Sequence, residues 1–155
     1  MALEIERKFL VKPGFDIKSV AICKYEIQQS YLSDNPDCVV RLRIINNDAY
    51  ITVKSRNEGA VRNEWEYALP KEDALQMIKQ CKLESIIKSR YIVIWDERKW
   101  EIDVFNGKLS GLILAEVELS RADEDIELPY FVSEEVTHNE KYYNSNLLRS
   151  IRDER

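Results

Sequence analysis

Glu4, Glu6 and Lys8 occupy alternate positions near the start of the chain. In a strand, side chains two apart point to the same face, so two carboxylates and an ammonium would share one surface. Neighbouring carboxylates offer hard oxygen ligands suited to Mg²⁺ or Mn²⁺. An ammonium beside them suits an anion. A single match of this kind is usually a wetted sheet face. Here the spacing recurs. Arg41/Arg43 flank Leu42, Thr52/Lys54 flank Val53, Glu64/Glu66 flank Trp65, Lys88/Arg90 flank Ser89, Glu101/Asp103 flank Ile102 and Glu116/Glu118 flank Val117. Sign is kept within each fully charged pair, whereas a merely soluble surface intermixes Lys with Glu. The pattern therefore predicts charged strand faces lining an interior. Buried charges need partners or metals. A triphosphate carries about four to five negative charges near neutrality, and arginine forks match its oxygens. These residue types ask for a chain of phosphates complexed to a metal.

The elements that must position these side chains are mostly strands. Runs over 3–11, 24–33, 38–46, 49–56, 61–69, 84–95, 98–106 and 112–120 read as β, separated by turn chemistry such as Lys12-Pro13-Gly14 and Asn46-Asn47-Asp48. Between them, Ala74, Leu75, Ile78 and Cys81 fall on one helical face, which predicts an amphipathic helix over 71–82. Residues 121–139, broken by Pro129, follow no single period, and a short helix is expected around 144–152. Eight antiparallel strands can close into a barrel, which removes exposed edges. An open two-layer sheet is the competing arrangement. The expected class is α+β, mainly β: a single domain over 1–155 built on a closed eight-stranded antiparallel barrel with a charged lumen. In that arrangement Ile5, Leu42, Val53, Trp65 and Val117 point outward and need cover from the helices or from a second subunit, so a homodimer is possible.

Composition narrows the function classes. The chain has 155 residues, is 45% hydrophobic and 33% charged, and carries a net charge of −5. That acidic balance argues against a general nucleic-acid binder. No long apolar run could span a membrane. Cys23, Cys38 and Cys81 are odd in number and widely spaced, which suggests neither zinc nor a disulfide framework and suits a reducing cytoplasm. They are expected to be buried packing residues. His138, the only histidine, lies in a polar stretch and is not expected to act in chemistry. Trp65, Trp95 and Trp100 read as outer-face packing.

The ordered set of motifs resembles the CYTH superfamily of triphosphate tunnel metalloenzymes. Its ExExK signature is matched by Glu4, Glu6 and Lys8. The match continues through Arg41-Leu42-Arg43, Thr52-Val53-Lys54, Glu64-Trp65-Glu66, Lys88-Ser89-Arg90, Asp103 and Glu116-Val117-Glu118. The small bacterial inorganic tripolyphosphatases look nearest, in length and in Tyr31-Leu32, Ile102-Asp103-Val104-Phe105 and Glu135-Val136-Thr137. The resemblance implies an antiparallel tunnel and divalent-metal-dependent hydrolysis of a small-molecule triphosphate, with Mg²⁺ or Mn²⁺ as cofactor. By position, Glu4, Glu6, Glu116 and Glu118 would hold metal. Glu64 and Glu66 would assist a second metal or position water. Lys8, Arg41, Arg43, Lys54, Lys88 and Arg90 would clamp phosphate oxygens, with Lys8 and Lys88 also catalytic candidates. Asp103 would line the tunnel in the substrate-binding set and orient basic neighbours, and Lys141, next to Tyr142, would bind substrate at the tunnel mouth. Glu140 stands where relatives can have a second basic residue.

Two other functions are compatible with such a tunnel. A class IV-type adenylate cyclase would release cyclic AMP and pyrophosphate from ATP, but no adenine pocket is legible. A non-catalytic polyphosphate or nucleotide binder would not need so many carboxylates. A lipocalin-like binder of apolar ligands conflicts with the charged parity.

Overall fold

A computed structural model describes residues 2–153. In chain order these form β1 (Ala2–Val11), α1 (Ile17–Val20), β2 (Cys23–Asn35), β3 (Cys38–Ile45), β4 (Asp48–Ser55), β5 (Val61–Leu69), α2 (Lys71–Gln80), β6 (Ile86–Trp95), β7 (Arg98–Phe105), β8 (Ile113–Glu118), β9 (Val132–Glu135) and α3 (Asn144–Asp153). Strand order is β5-β4-β3-β2-β6-β7-β8-β1-β9, and β5 returns to pair with β1. Eight strands thus close into an antiparallel barrel, with β9 outside the ring.

β1 carries three partners by dividing its length. Ala2–Ile5 pair with β5 on one edge, and farther along that edge Phe9 and Val11 pair with β9. Glu6–Leu10 pair with β8 on the opposite edge. β-branched and aromatic runs such as Tyr91-Ile92-Val93 favour the pleated surface. The tight turns obey their chemistry. Asp96 and Glu97, joining β6 to β7, both have positive φ (49° and 58°), which matches the right-handed twist of a hairpin. Asn46, between β3 and β4, has φ 52°.

Three apolar clusters hold the barrel. On the outside, Ile5, Phe9, Tyr91, Val93, Trp100, Ile102, Ala115 and Val117 form a buried layer with Leu119, Phe131 and Val132. Trp100 is its centre, with ring centroids 5.6 Å from Phe9 and 5.9 Å from Phe131. Each Ile, Val, Leu or Phe in this layer contributes about 1.5–3 kcal/mol by leaving water. The second cluster lies inside. Leu10, Ile86, Phe105 and Leu114 share the inward parity of Lys8, Lys88, Asp103 and Glu116, and they pack on Leu147, Leu148 and Ile151 of α3. One end of the lumen is therefore filled by a helix. The third cluster seats Ala74 of α2 on Ile44 and Ala49.

Several sequence expectations are revised. Cover for Ile5 and Val117 comes mainly from the aperiodic segment after β8, through Leu119, Ile126, Phe131 and Val132, with Ile17 of α1, while α2 covers the outward face at Ile44 and Ala49. α3 enters the barrel end because its Leu147, Leu148 and Ile151 fit the apolar end of the inward face. The cysteines are free and exposed instead of packed. Cys23 and Cys38 open strands and Cys81 follows α2, positions outside every covered face. Leu75, expected on the buried face of α2, is also exposed.

Candidate active site

The period-two pairs converge because the barrel closes. In the register, Lys8 lies opposite Glu116 and Glu6 opposite Glu118. Arg41 lies opposite Thr52, and Thr52 opposite Glu66. Lys54 lies opposite Glu64, and Arg90 opposite Asp103. Directly opposed residues share a face, so one ring of cross-strand neighbours carries the charges inward.

A cleft within the barrel is lined by Glu4, Glu6, Lys8, Tyr31, Arg41, Lys54 and Arg62, and roofed by Thr137 and by Tyr143, Asn144 and Ser145. Lys54 Nζ sits 2.8 Å from Glu4 Oε2 and 3.5 Å from Glu64 Oε2. Burial alone would raise the Glu4 carboxyl, but Lys54 and Arg41 hold it down at about 2. Lys8 Nζ lies 3.5 Å from Glu116 Oε1 and donates to the Tyr142 carbonyl at 3.1 Å. Burial works against the Lys8 charge, yet Glu116 and Glu6 raise its pKa. Lys8 in turn holds Glu116 at about 2 against burial. Arg41 Nη2 donates to Thr52 Oγ1 at 3.3 Å and lies 3.7 Å from Glu66 Oε2, while its buried Nε has no acceptor. Thr52 Oγ1 donates to Glu66 Oε2 at 2.9 Å.

Beside this cleft is a second charged group. Asp103 receives Arg90 through Nε at 2.7 Å and Nη2 at 2.9 Å, and Lys88 Nζ lies 2.7 Å from its Oδ2. Arg90 Nη1 reaches Glu101 Oε2 at 2.7 Å. Burial opposes the Asp103 charge, but Arg90 and Lys88 hold the carboxyl well below the usual range. Lys88 is 0% exposed, and burial lowers its pKa to about 7. Its ammonium lies off the hydrogen-bond direction and has no aligned acceptor. Arg43, lowered to about 10 by burial and by the charges of Arg41 and Arg90, links the two groups and donates to Gln29 Oε1 at 3.3 Å.

Glu6 differs from all of these. Among the described residues, no ion pair or hydrogen bond reaches its carboxylate. Burial raises its pKa well above the ordinary value, and the Glu116 and Glu4 charges add to the rise. An oxygen-only donor set with an uncompensated buried carboxylate fits a hard divalent cation. No three acidic, His or Cys side chains of the described residues close into a preformed cage. Lys54 and Lys8 hold two of the four candidate ligands, Glu4 and Glu116, and Glu118 is exposed on the rim.

The other sequence candidates are more scattered. Glu64 and Glu66 face inward on β5 but stay partly exposed. Lys141 is exposed with its ammonium over the Tyr142 ring, and it lines no part of the cleft. The C-terminal stretch contributes Tyr143, Asn144, Ser145 and the Tyr142 carbonyl instead. His138 is exposed and outside the cleft. Arg62 and Thr137 went unread as site residues. Arg62 has the parity of Glu64, so the period of two could have found it. Thr137 could not be found that way, because it arrives on a loop. There Arg7 Nη2 holds Glu135 at 2.7 Å, and the Lys8 amide donates to Thr137 Oγ1 at 3.0 Å.

A closed antiparallel barrel with paired carboxylates and cations converging inside defines the class, and the comparisons agree. The CYTH domain family matches residues 2–149, and the chain belongs to that family. An inorganic triphosphatase of Acetivibrio thermocellus is 36% identical over 97% of this chain and 96% of its own length. An inorganic triphosphatase of Nitrosomonas europaea is 35% identical over 96% of this chain and 98% of its own. A solved structure described as an inorganic triphosphatase superposes with a TM-score of 0.67 at 30% identity, covering 94% of this chain and 97% of that one. No helix among the described residues is long and apolar enough to cross a membrane.

Proposed function

We propose that this protein is a divalent-metal-dependent triphosphatase that releases orthophosphate from inorganic tripolyphosphate or a related triphosphate. The observation that carries the reading is Glu6. A buried carboxylate between two others asks for a cation. The likeness to two inorganic triphosphatases over nearly the whole chain supports the same reading.

Glu4, Glu6, Glu116 and Glu118 would hold Mg²⁺ or Mn²⁺. When bound, the metal neutralises charge on phosphate oxygens and lowers the barrier to attack at phosphorus. Lys8 and Lys54, now paired with Glu116 and Glu4, would be free to donate to phosphate oxygens where those carboxylates held a metal. Arg41 and Arg43 offer forked donors to non-bridging oxygens. Lys88, held against Asp103 with no aligned acceptor, donates hydrogen bonds to the phosphate chain and stabilises charge on the leaving group. Glu66, oriented by Thr52, and Glu64 position the attacking water and accept its proton. Asp103 fixes Arg90 and Lys88 and touches no substrate.

The test is a phosphate-release panel over tripolyphosphate, ATP, GTP and thiamine triphosphate with Mg²⁺ and with Mn²⁺, run beside a cyclic AMP assay. Orthophosphate with tripolyphosphate as a preferred substrate is the expected result. Pyrophosphate with cyclic AMP would replace the hydrolase reading by the cyclase, and binding without turnover under both metals would replace it by a sensor.

A further inference from the structure

Arg43 is held differently from its neighbours on the inward face. Lys8, Lys54 and Arg90 each meet a carboxylate, from Glu116, Glu4 and Asp103. Among the described residues no carboxylate pairs with Arg43, and its hydrogen-bond partner is a neutral amide. Arg43 Nε donates to Gln29 Oε1 at 3.3 Å. Gln29 lies opposite Arg43 in the register of β2 and β3, is 0% exposed, and lines no part of the cleft. A polar side chain buried this completely is costly unless its hydrogen bonds are made.

The amide fixes two neighbours at once. A guanidinium nitrogen can only donate, so the end of Gln29 that faces Arg43 is its carbonyl, and the other end is its NH₂ group. That group donates to the Tyr31 hydroxyl oxygen at 3.2 Å. Gln29 therefore offers no acceptor for the Tyr31 proton. Burial raises the pKa of that hydroxyl against the charges of Arg41, Arg43, Lys8 and Arg62, so it stays protonated. Among the described residues its hydrogen meets no acceptor, and Tyr31 lines the cleft, so this donor is left to a ligand there. Arg43 is spared in the same way. A neutral acceptor occupies its Nε edge and leaves its charge and its terminal nitrogens to a ligand, whereas a carboxylate in that place would neutralise it, as Glu4 does Lys54. We propose that Gln29 is a positioning residue of this site: its amide points Arg43 and Tyr31 at the phosphate chain, takes neither the charge of the first nor the proton of the second, and touches no substrate itself. The proposal rests on the triphosphatase reading for what is turned over, but the binding it requires does not.

The test compares wild-type protein with Gln29→Glu, Gln29→Met, Tyr31→Phe and the double variant Gln29→Met with Tyr31→Phe. Binding of tripolyphosphate is measured by calorimetry on metal-free protein, kcat and KM with Mg²⁺, and stability by thermal melts. Gln29→Glu gives Arg43 a buried ion-pair partner. It should melt no lower than wild type, yet bind tripolyphosphate about tenfold more weakly and raise KM about as much, the worth of one charge-assisted hydrogen bond. Gln29→Met keeps the length of the side chain and deletes both bonds. It should weaken binding about thirtyfold, but less than about tenfold in the Tyr31→Phe background, where the Tyr31 share is already gone. Three results would overturn the positioning role: Gln29→Glu binding and turning over as wild type does, losses across the variants that follow the melting temperature, or full additivity in the double variant. Should Gln29→Glu fail to fold, the additivity of Gln29→Met and Tyr31→Phe decides. Should wild type release no orthophosphate under either metal yet the variants weaken binding in this order, the hydrolase reading falls and the positioning role stands.

Discussion

Asp103 and Glu6 are both carboxylates on inward positions of one barrel, and their surroundings pull them in opposite directions. Asp103 is enclosed by Arg90 and Lys88, which hold its carboxyl well below the usual range despite burial. Glu6 has burial and two carboxylates acting on it, and its pKa rises. The first arrangement has its charge neutralised without a ligand, with the Lys88 ammonium alone left lacking an aligned acceptor. The second is complete only with a ligand. A lumen of mixed charges therefore divides into a self-neutralised scaffold on β6 and β7 and an unsatisfied binding face on β1, and substitution should separate them.

The largest effect is expected at the unsatisfied face. Glu6→Gln should lower metal-dependent phosphate release at least a thousandfold, about 4 kcal/mol of barrier, while raising the metal-free melting temperature, because a repelled buried charge is gone. Glu4→Gln and Arg41→Ala should lower activity comparably. A Glu6→Gln protein that melts lower and keeps full activity would reverse the comparison. At the scaffold the sign inverts. Asp103→Asn leaves Lys88 and Arg90 buried without their counter-charge and should cost about 3–5 kcal/mol in urea unfolding.

Metal binding should sharpen the contrast. At about 100-fold excess over Kd, Mg²⁺ or Mn²⁺ should add about 2.7 kcal/mol of stability to wild type. Thermal melts should show that gain vanish in Glu6→Gln and persist in a folded Asp103→Glu. Leu148→Ala, in the helix that fills the barrel end, should cost about 2–3 kcal/mol by leaving a cavity. Acid unfolding gives the smallest signal. Asp103 has a folded pKa below its unfolded 3.8, so its contribution is fully present above the unfolded value and is lost as pH falls toward the folded one. Asp103→Asn should flatten wild-type stability loss below about pH 4, read from unfolding midpoints across acid buffers.

Much of this was legible before any coordinates. The strand runs at 38–46 and 61–69 differ from β3 and β5 by at most one residue, because β-branched alternation and turn residues such as Asn46-Asn47 act locally. Parity alone put Glu4, Glu6 and Lys8 on one face, and Arg41 with Arg43. The segment after β8 was not legible. Its apolar residues, Leu119, Ile126 and Phe131, follow no period, since they are placed by a long excursion across the outside of the barrel. The three cysteines were misjudged for a related reason: composition says free cysteine is commonly buried, but element ends leave it in water.

The sequence by itself determined which side chains share a face, since a strand's period of two is a property of the backbone and needs no partner. It also determined the sign of each pair and the acidic balance of the chain. Tertiary structure decided which face looked inward, by closing β5 onto β1 and by turning apolar cover to the outside. It decided, too, which charges meet: Lys54 with Glu4, fifty residues apart, and Arg62 with none. Pairing across a barrel depends on register between strands distant in the chain, and no local pattern carries that distance.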